Sequence, residues 1–176
     1  ENRIQEAAEK FRSFADMPGL VRRFIGHLQS NKVNKCLELF DTVDSVDSVK
    51  LARRISNRAA SLGKTVPVLL EVNTSGEPQK GGFVPDQEKE MLACMRESNI
   101  QVEGLMTIGP YTQDQKAIRK SFSALNRLSQ SLNTQAGEKI LKELSMGMSG
   151  DYELAAEEGS TMVRLGTALF GPRTSL

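Results

Sequence analysis

The sequence predicts an α/β protein with a parallel sheet, and more specifically part of a (β/α)8 barrel. Two observations support this prediction. Apolar segments rich in β-branched residues alternate with segments whose apolar residues recur at helical spacing, at intervals of about 20 to 30 residues, which is typical of βαβ units. The last two predicted strands each lead into a glycine-containing turn and a short helix, where such barrels commonly hold a phosphate group.

The first part of the chain contains three predicted helices and two predicted strands. Apolar residues repeating at helical spacing predict the helices, and short apolar segments predict the strands. Helices are predicted over 2–14, 31–39 and 47–62, and strands over 22–26 and 42–46. Phe14 falls on the apolar face of the first helix, and Pro18-Gly19 predicts a turn after it. Asp47 is the predicted N-cap of the third helix, which Gly63 ends.

The middle of the chain continues the alternation. Residues 66–72 form a near-continuous apolar run, which is typical of a strand covered on both faces of a parallel sheet. A long loop follows over 73–85, and Asp86 is the predicted N-cap of a helix that extends to Arg96. The last part of this region is a strand over 102–106 and a helix over 114–132 with Ile118, Phe122, Leu125 and Leu132 facing inward.

The C-terminal stretch 144–171 contains most of the unusual chemistry. A strand over 141–146 is predicted to end at Gly147, and Asp151 is the predicted N-cap of a helix over 152–158 that Gly159 ends. A last strand over 162–165 leads into a turn at Gly166-Thr167. The sequence therefore predicts six strands, two fewer than a complete barrel.

Four residues of this stretch are candidates for binding an anion. Ser149 offers a hydroxyl, while Gly166 and Thr167 offer backbone N–H groups that have no partner inside a helix. Arg164 stands in an otherwise apolar strand, where a guanidinium needs an acceptor to offset its desolvation. The alternatives are a simple strand-to-helix turn around Ser149, a helix cap at Gly166-Thr167 and a surface-facing Arg164.

Composition and charge exclude several classes of function. Lys and Arg total 23 against 22 acidic residues, so no net basic field is present to bind nucleic acid or an anionic membrane. No apolar run approaches the roughly 18 residues of a membrane span, and the charged N-terminus does not resemble a signal peptide. Cys36 and Cys94 lie far apart and lack CxxC spacing, which favours reduced packing thiols over a disulfide or a metal site. His27 is the only histidine, which argues against a His-based metal site. These features predict a cytoplasmic protein.

Several motifs in the same order resemble one family. They are LSMGMSGD and EGSTMVRLGTALFG at the C-terminal end, ENRIQE at 1–6, FIGHLQSNK at 24–32, VNTSGEPQKGG at 72–82 and GLMTIGP at 104–110. Together they are similar to the YggS/PROSC family, the pyridoxal phosphate homeostasis proteins, which share a barrel with the N-terminal domain of alanine racemase. One departure is Arg22-Arg23, where the family usually shows Trp-His. Two arginines there predict a solvent-facing start of the strand.

The resemblance implies a (β/α)8 TIM barrel of the alanine racemase N-terminal type, with residues 1–176 forming a single cofactor-binding domain. A complete barrel usually takes about 250 residues, so we expect the first strand–helix unit and most of the second strand to be missing from these 176 residues. The family carries its Schiff-base lysine in that upstream part. None of the lysines here matches it by pattern, and Lys80 in particular is expected to be solvated in a mobile loop.

The resemblance also implies a cofactor, pyridoxal 5′-phosphate (PLP), and a set of residues around it. Arg164 would approach the pyridine nitrogen, while Ser149, Gly166 and Thr167 would hold the phosphate. Asn2 and Met106 match family positions near the ring, although a helix cap for Asn2 and a core position for Met106 are equally compatible with the sequence.

The implied function is non-catalytic PLP binding in intracellular PLP homeostasis, in which the protein holds the cofactor and transfers it. The alternatives are a PLP-dependent amino-acid racemase and a barrel enzyme for another phosphorylated metabolite. Tyr111 is the one residue that could serve a racemase as a second base. The expected partners are PLP and, transiently, PLP-accepting enzymes; we expect no nucleic acid or membrane partner, and a monomer.

Overall fold

The computed structural model describes residues 1–14 and 17–172. Six strands form one sheet, as the sequence predicts. The strands are β1 (Arg23–Phe24), β2 (Thr42–Val46), β3 (Val66–Glu71), β4 (Ile100–Met106), β5 (Glu143–Met148) and β6 (Met162–Arg164). The bounds of β2 coincide with the predicted ones. β1 is shorter than predicted, and β5 continues through Gly147 instead of ending there.

Helices precede the first strand and follow each strand in turn. They are α1 (Ile4–Lys10), α2 (Val33–Leu39), α3 (Val49–Ser61), α4 (Glu88–Met95), α5 (Gln115–Ala136), α6 (Tyr152–Glu157) and α7 (Thr167–Phe170). Short 3₁₀ turns extend α1 over Phe11–Phe14 and introduce α2 over Ser30–Lys32. None of the described helices is both long enough and apolar enough to cross a bilayer.

The strand order shows that the sheet is part of a barrel. All neighbouring strands pair in parallel, and their order across the sheet is the same as their order along the chain. A doubly wound sheet reverses its strand order at a switch point, whereas a (β/α)8 barrel keeps the order of the chain. The six strands therefore form an open half-barrel.

The main core lies between the sheet and the helices that cover it. At its N-terminal end, Phe40 packs edge-on against Phe24 of β1 and Phe11, with ring centroids 5.1 and 5.2 Å apart. Val68, Leu69 and Leu70 of β3 are all buried, although successive residues of a strand point to opposite faces. β3 is thus covered on both faces, which confirms the prediction from its apolar run.

Two predictions near the N-terminus fail, one at Phe14 and one at Arg23. Phe14 is 47% exposed, because the first α-helix ends at Lys10 and the tighter 3₁₀ turn rotates the following side chains away from the helix face. The predicted solvent-facing start of β1 is wrong for Arg23, whose side chain is 25% exposed because its Nε donates to Asp44 Oδ2 at 2.7 Å and Asp44 is completely buried. A buried carboxylate needs such a charged partner, so Arg23 is held against β2. Arg22 agrees better with the prediction, since its side chain is 38% exposed beside Asp41.

The helix caps also differ from those predicted. Ser48, not Asp47, caps α3 by accepting a hydrogen bond from the N–H of Leu51 at 3.3 Å. Gln87, not Asp86, occupies the N-cap position of α4. Asp47 and Ser48 are both good N-cap residues, and only the backbone conformation decides which of them is used. Gln87 makes no side-chain cap bond to α4; its Oε1 accepts from the N–H of Val84 at 3.0 Å.

Candidate functional site

The candidate site lies at the carboxyl ends of β4, β5 and β6. Arg164 is the last residue of β6, Ser149 follows β5, and Thr107 follows β4. Parallel strands in chain order bring their carboxyl ends to the same edge of the sheet, so these three residues are neighbours although they are far apart in sequence.

Ser149 joins the loop after β5 to the start of α7. Its Oγ accepts hydrogen bonds from the N–H groups of Gly166 and Ala168, each at 3.1 Å. Thr167 lies between these two residues and is exposed. The structure therefore brings together Ser149, Gly166 and Thr167 as predicted, and it adds the amide of Ala168, which the sequence did not single out. We call these four residues the amide cradle.

The turn that carries Ser149 is held by Asp151 and by Gly147. Asp151 Oδ1 accepts a hydrogen bond from the N–H of Met148 at 2.6 Å, and its own N–H donates to the carbonyl of Met148 at 3.1 Å. Asp151 occupies the predicted N-cap position of α6 but makes no side-chain cap bond to that helix. Gly147 has a φ of +95°, and an added Cβ would lie 2.6 Å from Ala155 Cβ, so only glycine lets α6 pack this closely against β5.

Arg164 points inward and is anchored by two neighbouring strand ends. Its Nη1 donates to the carbonyl and to Oγ of Ser145, each at 2.9 Å, and its Nη2 donates to the carbonyl of Thr107 at 2.8 Å. A surface-facing arginine is therefore excluded, and the acceptors that its desolvation requires are present. All three acceptors are neutral, so none of these hydrogen bonds offsets the positive charge of the guanidinium.

The electrostatics of the site combine this cation with partly buried carboxylates. Burial lowers the pKa of Arg164, while the negative charges of Glu71 and Asp151 oppose the shift. Burial also raises the pKa of Glu71, the last residue of β3, and the negative charge of Asp47 adds to that shift while Arg164 opposes it.

A network of hydroxyl groups holds Thr107 in place. Thr107 Oγ1 donates to the carbonyl of Val72 at 2.7 Å and lies 2.8 Å from Thr74 Oγ1, which in turn lies 2.7 Å from Ser121 Oγ. The network ties the end of β4 to the loop after β3 and to α5. It fixes the backbone whose carbonyl accepts from Arg164.

The other two predicted site residues lie in different surroundings. The backbone of Glu1 runs beside β1, with its N–H donating to Arg23 O and its carbonyl accepting from the N–H of Ile25, both at 3.0 Å. Asn2 follows at the edge of the sheet and is exposed; the N-cap position of α1 belongs to Arg3, so Asn2 is not the cap. Met106 is 1% exposed at the end of β4. A role for either residue beside a cofactor stays a prediction.

Lys80 and Tyr111 differ in how far they are held by the protein. Lys80 Nζ donates to the carbonyl of Gly109 at 2.6 Å and pairs with Glu77, so the expectation of a solvated lysine is wrong. The side chain of Tyr111 is 98% exposed. Among residues 1–14 and 17–172, no group of His, Cys, Asp or Glu side chains is placed to hold a metal ion.

Sequence reasoning missed Ser145 and the carbonyl of Thr107, which anchor Arg164. One signal for Ser145 is present in the sequence, since it is a polar residue flanked by Leu144 and Met146 in an otherwise apolar strand. The role of the Thr107 carbonyl has no signal in the sequence, because any residue supplies a backbone carbonyl.

Comparison with known proteins gives a consistent result. A family model described as the alanine racemase N-terminal domain matches residues 1–174. The pyridoxal phosphate homeostasis protein of Aquifex aeolicus is 42% identical over 174 residues, which cover 98% of this chain and 75% of that protein.

Solved structures agree with the sequence comparisons. PipY of Synechococcus elongatus, solved without PLP, is 40% identical with a TM-score of 0.91 and covers 97% of this chain and 80% of its own. The PipY structure with PLP bound is 38% identical with a TM-score of 0.88, at the same coverage of both chains. An alanine racemase of Clostridium difficile is 22% identical with a TM-score of 0.77, covering 98% of this chain and 43% of the racemase. At that identity the likeness shows the fold alone.

Proposed function

The chain belongs to the alanine racemase N-terminal domain family and, within it, to the pyridoxal phosphate homeostasis proteins, and from that premise we propose that it binds PLP and takes part in PLP homeostasis. The family resemblance predicted from the sequence motifs is thereby confirmed. The observation that carries the proposal is the pairing of an inward-facing Arg164, held by neutral acceptors, with the amide cradle at the same edge of the sheet.

The amide cradle fits a phosphate group chemically. The N–H groups of Gly166 and Ala168 point toward one oxygen, Ser149 Oγ, which shows that they converge on an acceptor. A phosphate oxygen is a stronger acceptor than a hydroxyl, and the Ser149 hydroxyl can itself donate to phosphate. Ser149, Gly166 and Thr167 would thus hold the phosphate of the cofactor.

Arg164 fits the opposite end of the ring. When bound, PLP supplies an aldehyde and a pyridine ring that can accept electron density. Arg164 donates hydrogen bonds to an acceptor such as the ring nitrogen without giving up its own proton. An arginine in this position therefore binds and orients the ring and does not supply the proton that would strengthen it as an electron acceptor.

We further infer that the protein holds PLP without catalysing a reaction and passes it to PLP-accepting enzymes. It would do so as a monomer in the cytoplasm, with residues 1–176 forming one cofactor-binding domain. The exposure of Tyr111 supports a non-catalytic role, because a second catalytic base must be positioned against the substrate. The free buried thiols of Cys36 and Cys94 are typical of a reducing compartment and support a cytoplasmic location.

The test is PLP binding to purified protein, measured by equilibrium dialysis and by the absorbance of bound PLP. Ser149→Ala removes one hydrogen bond to a charged group, about 1.5–3 kcal/mol, so the affinity should fall roughly ten- to hundredfold. Ser61→Ala serves as a matched control, because Ser61 is an exposed serine on α3 and should leave the affinity unchanged. Failure of the parent protein to bind PLP would reject the proposed function, whereas unchanged affinity in Ser149→Ala would reject only the amide cradle.

Catalysis is tested separately on the PLP-loaded protein. We expect no racemisation of L-amino acids above the rate of free PLP. Turnover that disappears in Tyr111→Phe would overturn the non-catalytic assignment and favour the racemase alternative.

A further inference from the structure

We propose that Ser145 is a positioning residue whose side-chain hydroxyl fixes the orientation of the Arg164 guanidinium. The proposal rests on the proposed function, because it assigns to Ser145 the task of aiming Arg164 at the cofactor. The motif LSMGMS marks Ser145 only as a polar residue in an apolar strand, and its contact with Arg164 is what indicates this task.

The contacts of Arg164 are divided unequally between its nitrogens. Nη1 donates to both oxygens of Ser145, the carbonyl and Oγ, while Nη2 donates to Thr107 O. Among the described residues, none accepts from the second hydrogen of Nη2 or from Nε. The planar guanidinium thus presents one end to the protein and keeps donors for a ligand.

The Ser145 hydroxyl helps to orient the Arg164 guanidinium, because backbone carbonyls alone would fix that orientation less well. Without Oγ, Arg164 would be held by the carbonyls of Ser145 and Thr107 only, and Nη1 would keep one of its two acceptors. Losing an acceptor for a buried donor is costly, so the side chain would rotate until Nη1 found another one. Rotation about the side-chain bonds of Arg164 would redirect the N–H groups that face the site.

The position of Ser145 in the sheet makes it suitable for this task. Ser145 is completely buried and pairs with Met106 of β4 and Met162 of β6, so it lies on the strand between the two that it connects through Arg164. Its carbonyl also accepts from the N–H of Thr107 at 3.1 Å, within the sheet ladder. The backbone of Ser145 is therefore rigid, and its hydroxyl is held at a fixed point relative to β6.

A neutral hydroxyl also suits the chemistry better than a carboxylate would. An aspartate at this position could hold the guanidinium in the same way, but its negative charge would offset the charge of Arg164. Serine satisfies the buried donor and leaves the positive charge available to an electron-rich acceptor.

The experiment is a double-mutant cycle between Ser145→Ala and Arg164→Ala, read out first without any ligand. In urea unfolding of purified protein, Ser145→Ala should lower the urea concentration at the unfolding midpoint when Arg164 is present. In the Arg164→Ala background, Ser145→Ala should change that midpoint little. Ser56→Ala is the matched control, because Ser56 is another buried serine, whose hydroxyl accepts from Asn99 N on the helix-covered side. The effect of Ser56→Ala on the unfolding midpoint should add to that of Arg164→Ala. Equal loss from Ser145→Ala in both backgrounds would overturn the proposal.

The second readout is binding. Ser145→Ala should weaken PLP binding about tenfold, should leave the affinity for inorganic phosphate within about twofold of the parent, and should have no further effect on PLP once Arg164 is absent. Ser145→Thr retains the hydroxyl and should restore most of the PLP affinity. Parallel loss of PLP and phosphate binding would overturn the proposal, because it would indicate a general disturbance of the site. If the parent protein binds no PLP, the proposed function fails, while the ligand-free cycle still tests the link between Ser145 and Arg164.

Should Arg164→Ala fail to fold, the signal of the Arg164 Nε–H in nuclear magnetic resonance spectra provides the same information. Ser145→Ala should broaden or shift that signal and Ser145→Thr should not. An unchanged signal in Ser145→Ala would contradict the positioning role.

Discussion

Gly147→Ala is predicted to destabilise the protein through two separable effects at the junction of β5 and α6. Gly147 has a φ of +95°, a conformation that L-residues rarely adopt. An alanine Cβ there would also lie 2.6 Å from Ala155 Cβ and 3.0 Å from Tyr152 Cα, both on α6. Because Tyr152 Cα belongs to the backbone, rotation of a side chain cannot relieve the whole contact.

The two effects have different magnitudes and different controls. A left-handed backbone conformation costs an L-residue about 1–2 kcal/mol. Overpacking a filled interior typically costs about 1–3 kcal/mol, so Gly147→Ala should lose about 2–5 kcal/mol in all. Gly137, which ends α5 with a φ of +79°, has no atom within 4 Å of an added Cβ, so Gly137→Ala measures the backbone effect alone.

The assay is urea unfolding of the two variants together with Gly150→Ala. Gly150 has neither a positive φ nor an atom within 4 Å of an added Cβ, so its replacement should change the free energy of unfolding by less than about 0.5 kcal/mol. Movement of α6 would also displace Asp151, which holds the turn before Ser149, so only Gly147→Ala should weaken PLP binding as well. A Gly147→Ala variant no less stable than Gly137→Ala would refute the packing argument.

Two further predictions concern the charged residues of the site. Arg164→Ala should weaken PLP binding at least tenfold and create no transaminase turnover, because removing the guanidinium supplies no acid for the ring nitrogen; a gain of turnover would contradict the role given to Arg164. The pKa of Glu71 is raised above its ordinary value of 4.5, so the folded state binds this proton more tightly than the unfolded state, and stability declines as the pH rises from 4.5 through the raised value. In urea unfolding, Glu71→Gln should therefore be as stable as the parent at pH 4 and more stable than the parent at pH 7. A variant that is less stable than the parent at pH 7 would show that the attraction of the Glu71 carboxylate to Arg164 outweighs the cost of its burial.

The sequence by itself determined the order and type of the main elements. The six strands and the helices between them follow from apolar periodicity, and the predicted β2 agrees with the structure at both ends. This is possible because periodicity records which face of each element is buried, and burial is the largest favourable contribution to folding. Local detail was less accessible: Asp47 and Ser48 are both suitable caps, and only the backbone conformation selects Ser48.

For the site, the sequence determined which residue types were chemically unusual, and the tertiary structure decided what they contact. Arg164 was identifiable because a guanidinium in an apolar strand requires acceptors. Its actual acceptors, Ser145 and the carbonyl of Thr107, lie on β5 and at the end of β4, 19 and 57 residues away in the chain. Such contacts depend on the register of parallel strands joined by helical crossovers, and no local pattern records that register. The physical reason is that hydrogen bonds across a sheet are specified jointly by several strands, whereas helical and strand periodicity is specified within each segment.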